Sequence, residues 1–207
     1  MQVDNELKFE QHIELQCAKA NKILCIIRRS FEYLDKDMLR KLYTALIRPL
    51  LEYGHEITYP RFNKAATLLE GVQKRATKMI PELKNIPYEE RLKTMNLQSL
   101  YYRRDRGDMM EVYKLSQGLY NVVSILTPES DHTRRGHAYK LKLPRTYKDV
   151  RQKFFSVRSV SKWNSLPDTV VTAETIESFK TCLDKHWKNH TQNLTPVMPL
   201  PPCNRDT

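Results

Sequence analysis

Between His132 and Lys162 ten basic residues (Arg134, Arg135, Lys140, Lys142, Arg145, Lys148, Arg151, Lys153, Arg158 and Lys162) face a single acid, Asp149. This stretch carries nine of the chain's eleven net positive charges, and Tyr139, Tyr147, Phe154, Phe155 and Trp163 are interleaved with or adjoin it. Ammonium and guanidinium groups neutralise phosphates, and aromatic rings stack on unpaired bases, so the composition suits contact with a nucleic acid. The candidate phosphate-binding side chains are Arg134, Arg135, Lys140, Lys142, Arg145, Lys148, Arg151, Lys153 and Arg158. The competing reading is a solvated loop. For Phe154, Phe155 and Trp163, which have helical or strand neighbours to pack on, a place in the core is the expectation.

A second basic set, Lys74, Arg75 and Lys78, falls on adjacent positions of a predicted helix, opposite Leu69, Val72 and Ala76. It reads equally as a nucleic-acid contact or as an ordinary wet face. The run Arg103-Arg104-Asp105-Arg106-Gly107-Asp108 alternates in sign at helical spacing, which predicts ion pairs along the helix and a structural role. His186 and His190 are four apart, but a metal would need further ligands, and Trp187 stands where the zinc-protease pattern has its glutamate. Cys17, Cys25, Cys182 and Cys203 form no metal-type cluster, and no serine or cysteine has a recognisable paired base. No catalytic residue, metal or cofactor is therefore expected.

The elements that must position these groups read as helices. Only 5 of 207 residues are glycine, which argues against Gly-rich phosphate loops and turn-dense β-sandwiches, and hydrophobic residues make up 40% of the chain. Phe9, Ile13, Cys17, Ala20, Leu24 and Ile27 predict one long helix from about 7 to 29. A second starts at Asp35 as N-cap and runs through Leu39, Leu42, Leu46 and Leu50, kinked or ended early by Pro49. A third follows Asn63, with Met79 and Ile80 on its buried side. Pro87 opens a short fourth, and Leu97 or Leu100 opens a fifth that stops at Gly118.

Alternation over Tyr139–Leu143 predicts a short strand. A last helix spans about 173 to 187, and the proline-rich stretch beyond Asn189 reads as a disordered tail. The segment after Met1 is polar and no apolar run is long enough to span a bilayer. The expectation is an intracellular protein, nuclear or cytoplasmic and not secreted, with reduced thiols and no membrane partner.

Several clusters, in order, resemble the segment that follows the polymerase domain in jockey-like non-LTR retrotransposon reverse transcriptases. They include Leu7-Lys8-Phe9 with His12-Ile13, Arg48-Pro49, Leu51-Glu52-Tyr53, and Val72-Gln73-Lys74-Arg75-Ala76-Thr77-Lys78. Glu90-Arg91-Leu92, Arg103-Arg104, Arg106-Gly107-Asp108, Arg135-Gly136-His137, Phe154-Phe155-Ser156 and Trp163-Asn164-Ser165-Leu166-Pro167 continue the series, which covers about residues 7 to 187. Thr58 departs from the pattern, which usually has a tryptophan there, so weaker or redistributed packing is expected around it.

The resemblance implies a mainly α fold: a multi-helix bundle with a thumb-like part at 1–62, post-thumb helices at 63–131 and a basic C-terminal segment with minor β at 132–190. Residues 191–207 form the tail. It also implies RNA or an RNA–DNA template-primer as partner, bound through phosphates without sequence preference, with Lys74, Arg75 and Lys78 tracking its backbone. An intact reverse transcriptase copy and self-association are further expected associations. The family's polymerase uses a pair of adjacent aspartates to hold magnesium, and no adjacent Asp-Asp occurs in this chain, so no activity of its own is expected. The alternative is a protein-interaction module with no nucleic-acid role.

Overall fold

Apolar residues at three- and four-residue steps build α1 (Glu10–Ser30) and bury Ile13, Cys17, Ala20, Leu24 and Ile27. The computed structural model describes residues 9–60, 63–120, 125–129 and 137–190, and these are mainly helical. The expected tail at 191–207 lies outside the described residues. Arg134 and Arg135 lie outside them as well.

Asp35 caps α2 (Lys36–Leu42), its carboxylate accepting the Met38 N–H at 2.7 Å. The helix does not break at Pro49. It widens into a π-helical turn (Tyr43–Ile47) and continues as α3 (Arg48–Glu52), with Tyr43, Ile47 and Leu51 in the interior. Proline has no N–H and crowds the carbonyl four residues back, and a wider turn immediately before it accommodates both effects.

The chain reverses after α3, where Tyr53 is 61% exposed and its carbonyl accepts from the Gln16 side chain of α1 at 3.0 Å. Gly54 turns in the left-handed region at φ 66°, and its carbonyl accepts from both the Thr58 N–H (2.8 Å) and the Thr58 hydroxyl (2.9 Å). Thr58 is buried with its hydroxyl satisfied, so the small polar residue is built into the turn.

α4 (Asn63–Thr77) buries Ala65, Leu69, Val72, Gln73 and Ala76. It ends before Ile80, which is buried from the following turn, just ahead of a 3-10 turn at Pro81–Leu83. Pro87 precedes α5 (Tyr88–Thr94), and α6 (Leu100–Ser116) is followed by Gly118 at φ 63°.

A polar seam runs through this half. The Tyr43 hydroxyl donates to Gln73 Oε1 at 2.7 Å, and Gln73 Nε2 donates to the Gln98 carbonyl at 2.9 Å. The Tyr88 hydroxyl donates to Glu70, whose other oxygen accepts the Leu100 N–H at 3.1 Å. Glu70 thereby places an acid at the N-terminus of α6, where the helix's free N–H groups favour negative charge. Burial nevertheless holds its carboxyl above the ordinary range.

The chain forms two compact units, Met1–Asp105 and Arg106–Thr207, so the division falls inside α6. α1 and α4, expected on opposite sides of a limit near residue 62, pack together in the first unit. The second unit contains the rest of α6, α7 (Asp149–Gln152), α8 (Phe155–Asn164), α9 (Asp168–Val171) and α10 (Ile176–His190). Its core sets three aromatic rings, Tyr113, Trp163 and Phe179, among aliphatic side chains such as Leu126, Leu141, Val170 and Leu183. Tyr113 stacks on Phe179 at 4.3 Å between ring centres, and Trp163 lies 6.0 Å from Phe179. The expected strand at Tyr139–Leu143 is reduced to one antiparallel bridge, Pro128 with Leu141.

The charged run of α6 is structural, and three of its residues pair with other elements where pairs along the helix were expected. Arg103 reaches Glu52 at the end of α3 with two nitrogens. Arg106 binds Asp184 of α10 at 2.7 and 3.0 Å, and Asp108 receives both Nε and Nη2 of Arg158 at 2.8 Å. Paired guanidinium–carboxylate bonds form across packed elements, a geometry stronger than the single contacts of an i,i+3 pair.

Candidate nucleic-acid interface

The part of the basic stretch around Tyr139–Lys142 is held by α8. Trp163, fully buried on α8, donates its indole N–H to the Tyr139 carbonyl at 2.8 Å. The neighbouring Asn164 side chain accepts the Leu141 N–H at 2.9 Å and donates to the Leu141 carbonyl at 2.8 Å, closing a two-bond clamp on that peptide. On the other side, the Glu129 N–H meets the Lys140 carbonyl (2.9 Å) and the Lys142 N–H meets the Thr127 carbonyl (2.8 Å). The ring of His137 stands edge-on to Trp163 at 5.9 Å and bonds the Trp163 carbonyl at 3.0 Å. The backbone of 139–142 is thus fixed on both edges although no sheet forms there.

This scaffold leaves five cations outward. Lys142, Arg145, Lys148, Arg151 and Lys153 are exposed, and Lys140 is half-buried. None of those five exposed side chains has an ion-pair partner among the described residues. The rings divide. Trp163 is in the core and Phe155 is partly buried against it, as expected. Phe154 is 37% exposed, with the Arg151 guanidinium 5.1 Å above its ring, and Tyr147 is 93% exposed.

Arg158 is a correction to the candidate set. Its side chain is 9% exposed, both bonds to Asp108 are made, and Nη1 donates to the Lys153 carbonyl at 2.7 Å. A guanidinium whose donors are spent on a buried carboxylate and a backbone carbonyl holds the basic segment in place and does not reach a phosphate.

The helix α4 set lies in the first unit, apart from the basic stretch in the division of the chain. Arg75 donates through Nε and Nη2 to the Asn21 side chain at 3.2 and 3.0 Å, and Lys74 sits 5.2 Å over the Tyr88 ring. Lys78 is exposed beyond the end of α4. Two of the three are engaged within the unit.

One feature of the second unit has no local signal in the sequence. A cleft of about 610 Å³ is lined by Ile125, Leu126, Thr127, Lys142, Leu143, Pro144, Arg145, Arg151, Ser156 and Val160. It is apolar at Leu126 and Val160, both buried, and carries three cations and no carboxylate in its lining. Its walls come from three separate stretches of chain, so no spacing rule could have assembled it.

Among the described residues no group of three or more His, Cys, Asp or Glu is placed to hold a metal ion, and no helix is long and apolar enough to cross a membrane. No protein-family model matches the chain, and no solved structure matches it. An uncharacterized protein of Caenorhabditis elegans is 27% identical over 122 residues. The match covers 58% of this chain and 62% of that protein, so the chain spans less than two thirds of its relative's length.

Proposed function

We propose that this chain is the non-catalytic C-terminal part of a non-LTR retrotransposon reverse transcriptase, and that it binds RNA or an RNA–DNA template-primer through phosphates, without sequence preference. The observation that carries the binding role is the set of exposed cations at Lys142, Arg145, Lys148, Arg151 and Lys153, which have no ion-pair partner among the described residues, together with the exposed Tyr147 ring. Leaving so many like charges beside one another is unfavourable for the isolated fold, and a polyanion relieves it. The lineage rests on the ordered motif clusters from about residue 7 to 187. The absence of an adjacent aspartate pair from the sequence supports a role without polymerisation.

The test is a salt titration of binding to a labelled RNA–DNA template-primer, comparing the full chain with an Arg145→Gln, Lys148→Gln, Arg151→Gln, Lys153→Gln variant. Binding should weaken steeply with salt, and the variant's log–log slope should be shallower by up to roughly 3, since each neutralised phosphate contributes about 0.7–0.9. A folded chain that fails to bind at low salt would overturn the reading. Self-association that is insensitive to salt, without nucleic-acid binding, would point instead to a protein-interaction module.

A further inference from the structure

The cleft in the second unit combines two chemistries that seldom share a surface without a ligand. Its floor is apolar, at Leu126 and Val160, and its rim carries Leu143 at 54% and Ile125 at 63% exposure, both open to water. Beside these stand Lys142, Arg145 and Arg151, all exposed. A volume of about 610 Å³ lies in the range of small-ligand sites and accommodates a planar heterocycle. A ligand that fits must therefore present an apolar or aromatic body flanked by negative charge.

A simple anion would use the cations and leave the apolar surface wet, whereas an uncharged apolar ligand would leave three cations facing it without partners. Lys148 and Lys153, neighbours of Arg145 and Arg151 in the chain, are exposed as well, and this many cations suits an extended polyanion over a single small one. A single-stranded nucleic acid meets every requirement, because its bases turn out of the stack readily and alternate with phosphates.

We propose that the cleft seats one unstacked base of a single-stranded nucleic acid against Leu126, Leu143 and Val160, while Lys142, Arg145 and Arg151 hold the phosphates on either side. The inference rests on the nucleic-acid reading above and adds a defined base site to it. Base seating makes affinity depend on the presence of a base but little on which base, because the apolar floor offers shape and not a donor–acceptor pattern.

The experiment compares the full chain's binding to short oligothymidylate and to an abasic sugar-phosphate oligomer of the same length and charge. The base-bearing oligomer should bind about tenfold tighter, since one buried base contributes on that scale. An Ile125→Gln, Leu143→Gln variant, uncharged and altered only at exposed positions, should lose most of that difference while keeping its affinity for the abasic strand. An Arg145→Gln, Arg151→Gln variant should lose affinity for both strands alike. Equal affinity of the unaltered chain for the two strands overturns the base site while leaving phosphate binding intact, as does a difference that persists in the Ile125→Gln, Leu143→Gln variant. Binding of neither strand at low salt overturns the nucleic-acid reading itself, and the base site with it.

Discussion

The two compact units differ in how they place their polar and charged side chains. In the first, charge is drawn inward: Arg104 and Arg91 are buried, and Glu70 sits among Tyr88, Leu100 and the field of Arg104. Burial holds the Arg104 guanidinium below its ordinary value, with Glu70 the largest charge acting against that shift. In the second unit the Asp108–Arg158 pair is buried, and Lys142, Arg145, Lys148, Arg151 and Lys153 of the basic stretch are exposed. A buried polar seam specifies which helices meet and in what register, because any slip leaves a donor or acceptor without a partner. A surface row of cations specifies nothing about the fold and is open to a ligand. The contrast places a buried polar seam in the first unit and a set of exposed cations in the second.

The largest expected effect comes from removing the scaffold under the cations. Trp163→Ala empties a fully buried site and drops the bond to the Tyr139 carbonyl, which should destabilise the chain by about 3–5 kcal/mol. Hydrogen exchange should show lost protection in the second unit first. Equal loss in α1 and α4 would mean that the two units do not melt separately and would blunt the contrast drawn above.

Next in size is the buried pair. Asp108→Ala strands the Arg158 guanidinium, 9% exposed, and should cost roughly 3 kcal/mol, whereas Asp108→Asn retains one acceptor and should cost less. Glu177→Ala, which breaks the pair with Lys180 at the surface, serves as the comparison and should change stability by about 0.5 kcal/mol or less. Similar losses for Asp108→Ala and Glu177→Ala in denaturant melts would remove Arg158 from its positioning role and return it to the phosphate-binding set.

The smallest effect probes the seam through pH. Because burial raises the Glu70 carboxyl in the folded chain, the fold binds this proton more tightly than the unfolded chain does. Its contribution to stability is therefore greatest below the unfolded carboxylate range and falls as pH rises through that range to the raised folded value. Glu70→Gln removes this titration, so the variant's stability should change less across mildly acidic pH than the unaltered chain's. Parallel pH profiles for the two would show that Glu70 is not the group responsible and that the seam bears no such charge strain.

Much of the helical plan was legible before any coordinates. The stripe from Ile13 to Ile27, the Asp35 cap, Pro87 ahead of α5 and the stop at Gly118 are local rules, in which each residue constrains only its own turn. The basic stretch was equally plain, since composition needs no partner to be read. The pairing of α6 was not. Arg103, Arg106 and Asp108 offered plausible partners within the helix, and only packing brought Glu52, Asp184 and Arg158 within reach.

What the sequence alone determined is the helical class, most helix limits and where the basic residues concentrate, all of them properties of short stretches and their composition. The tertiary structure decided which cations are spent and which are offered. Arg158 looks like its neighbours in the sequence, yet it is consumed by Asp108, while Lys142, Arg145 and Arg151 border an apolar cleft whose other walls come from distant stretches. A side chain's availability depends on whether a partner of opposite charge is packed against it, and that is a property of three-dimensional proximity that no local pattern encodes.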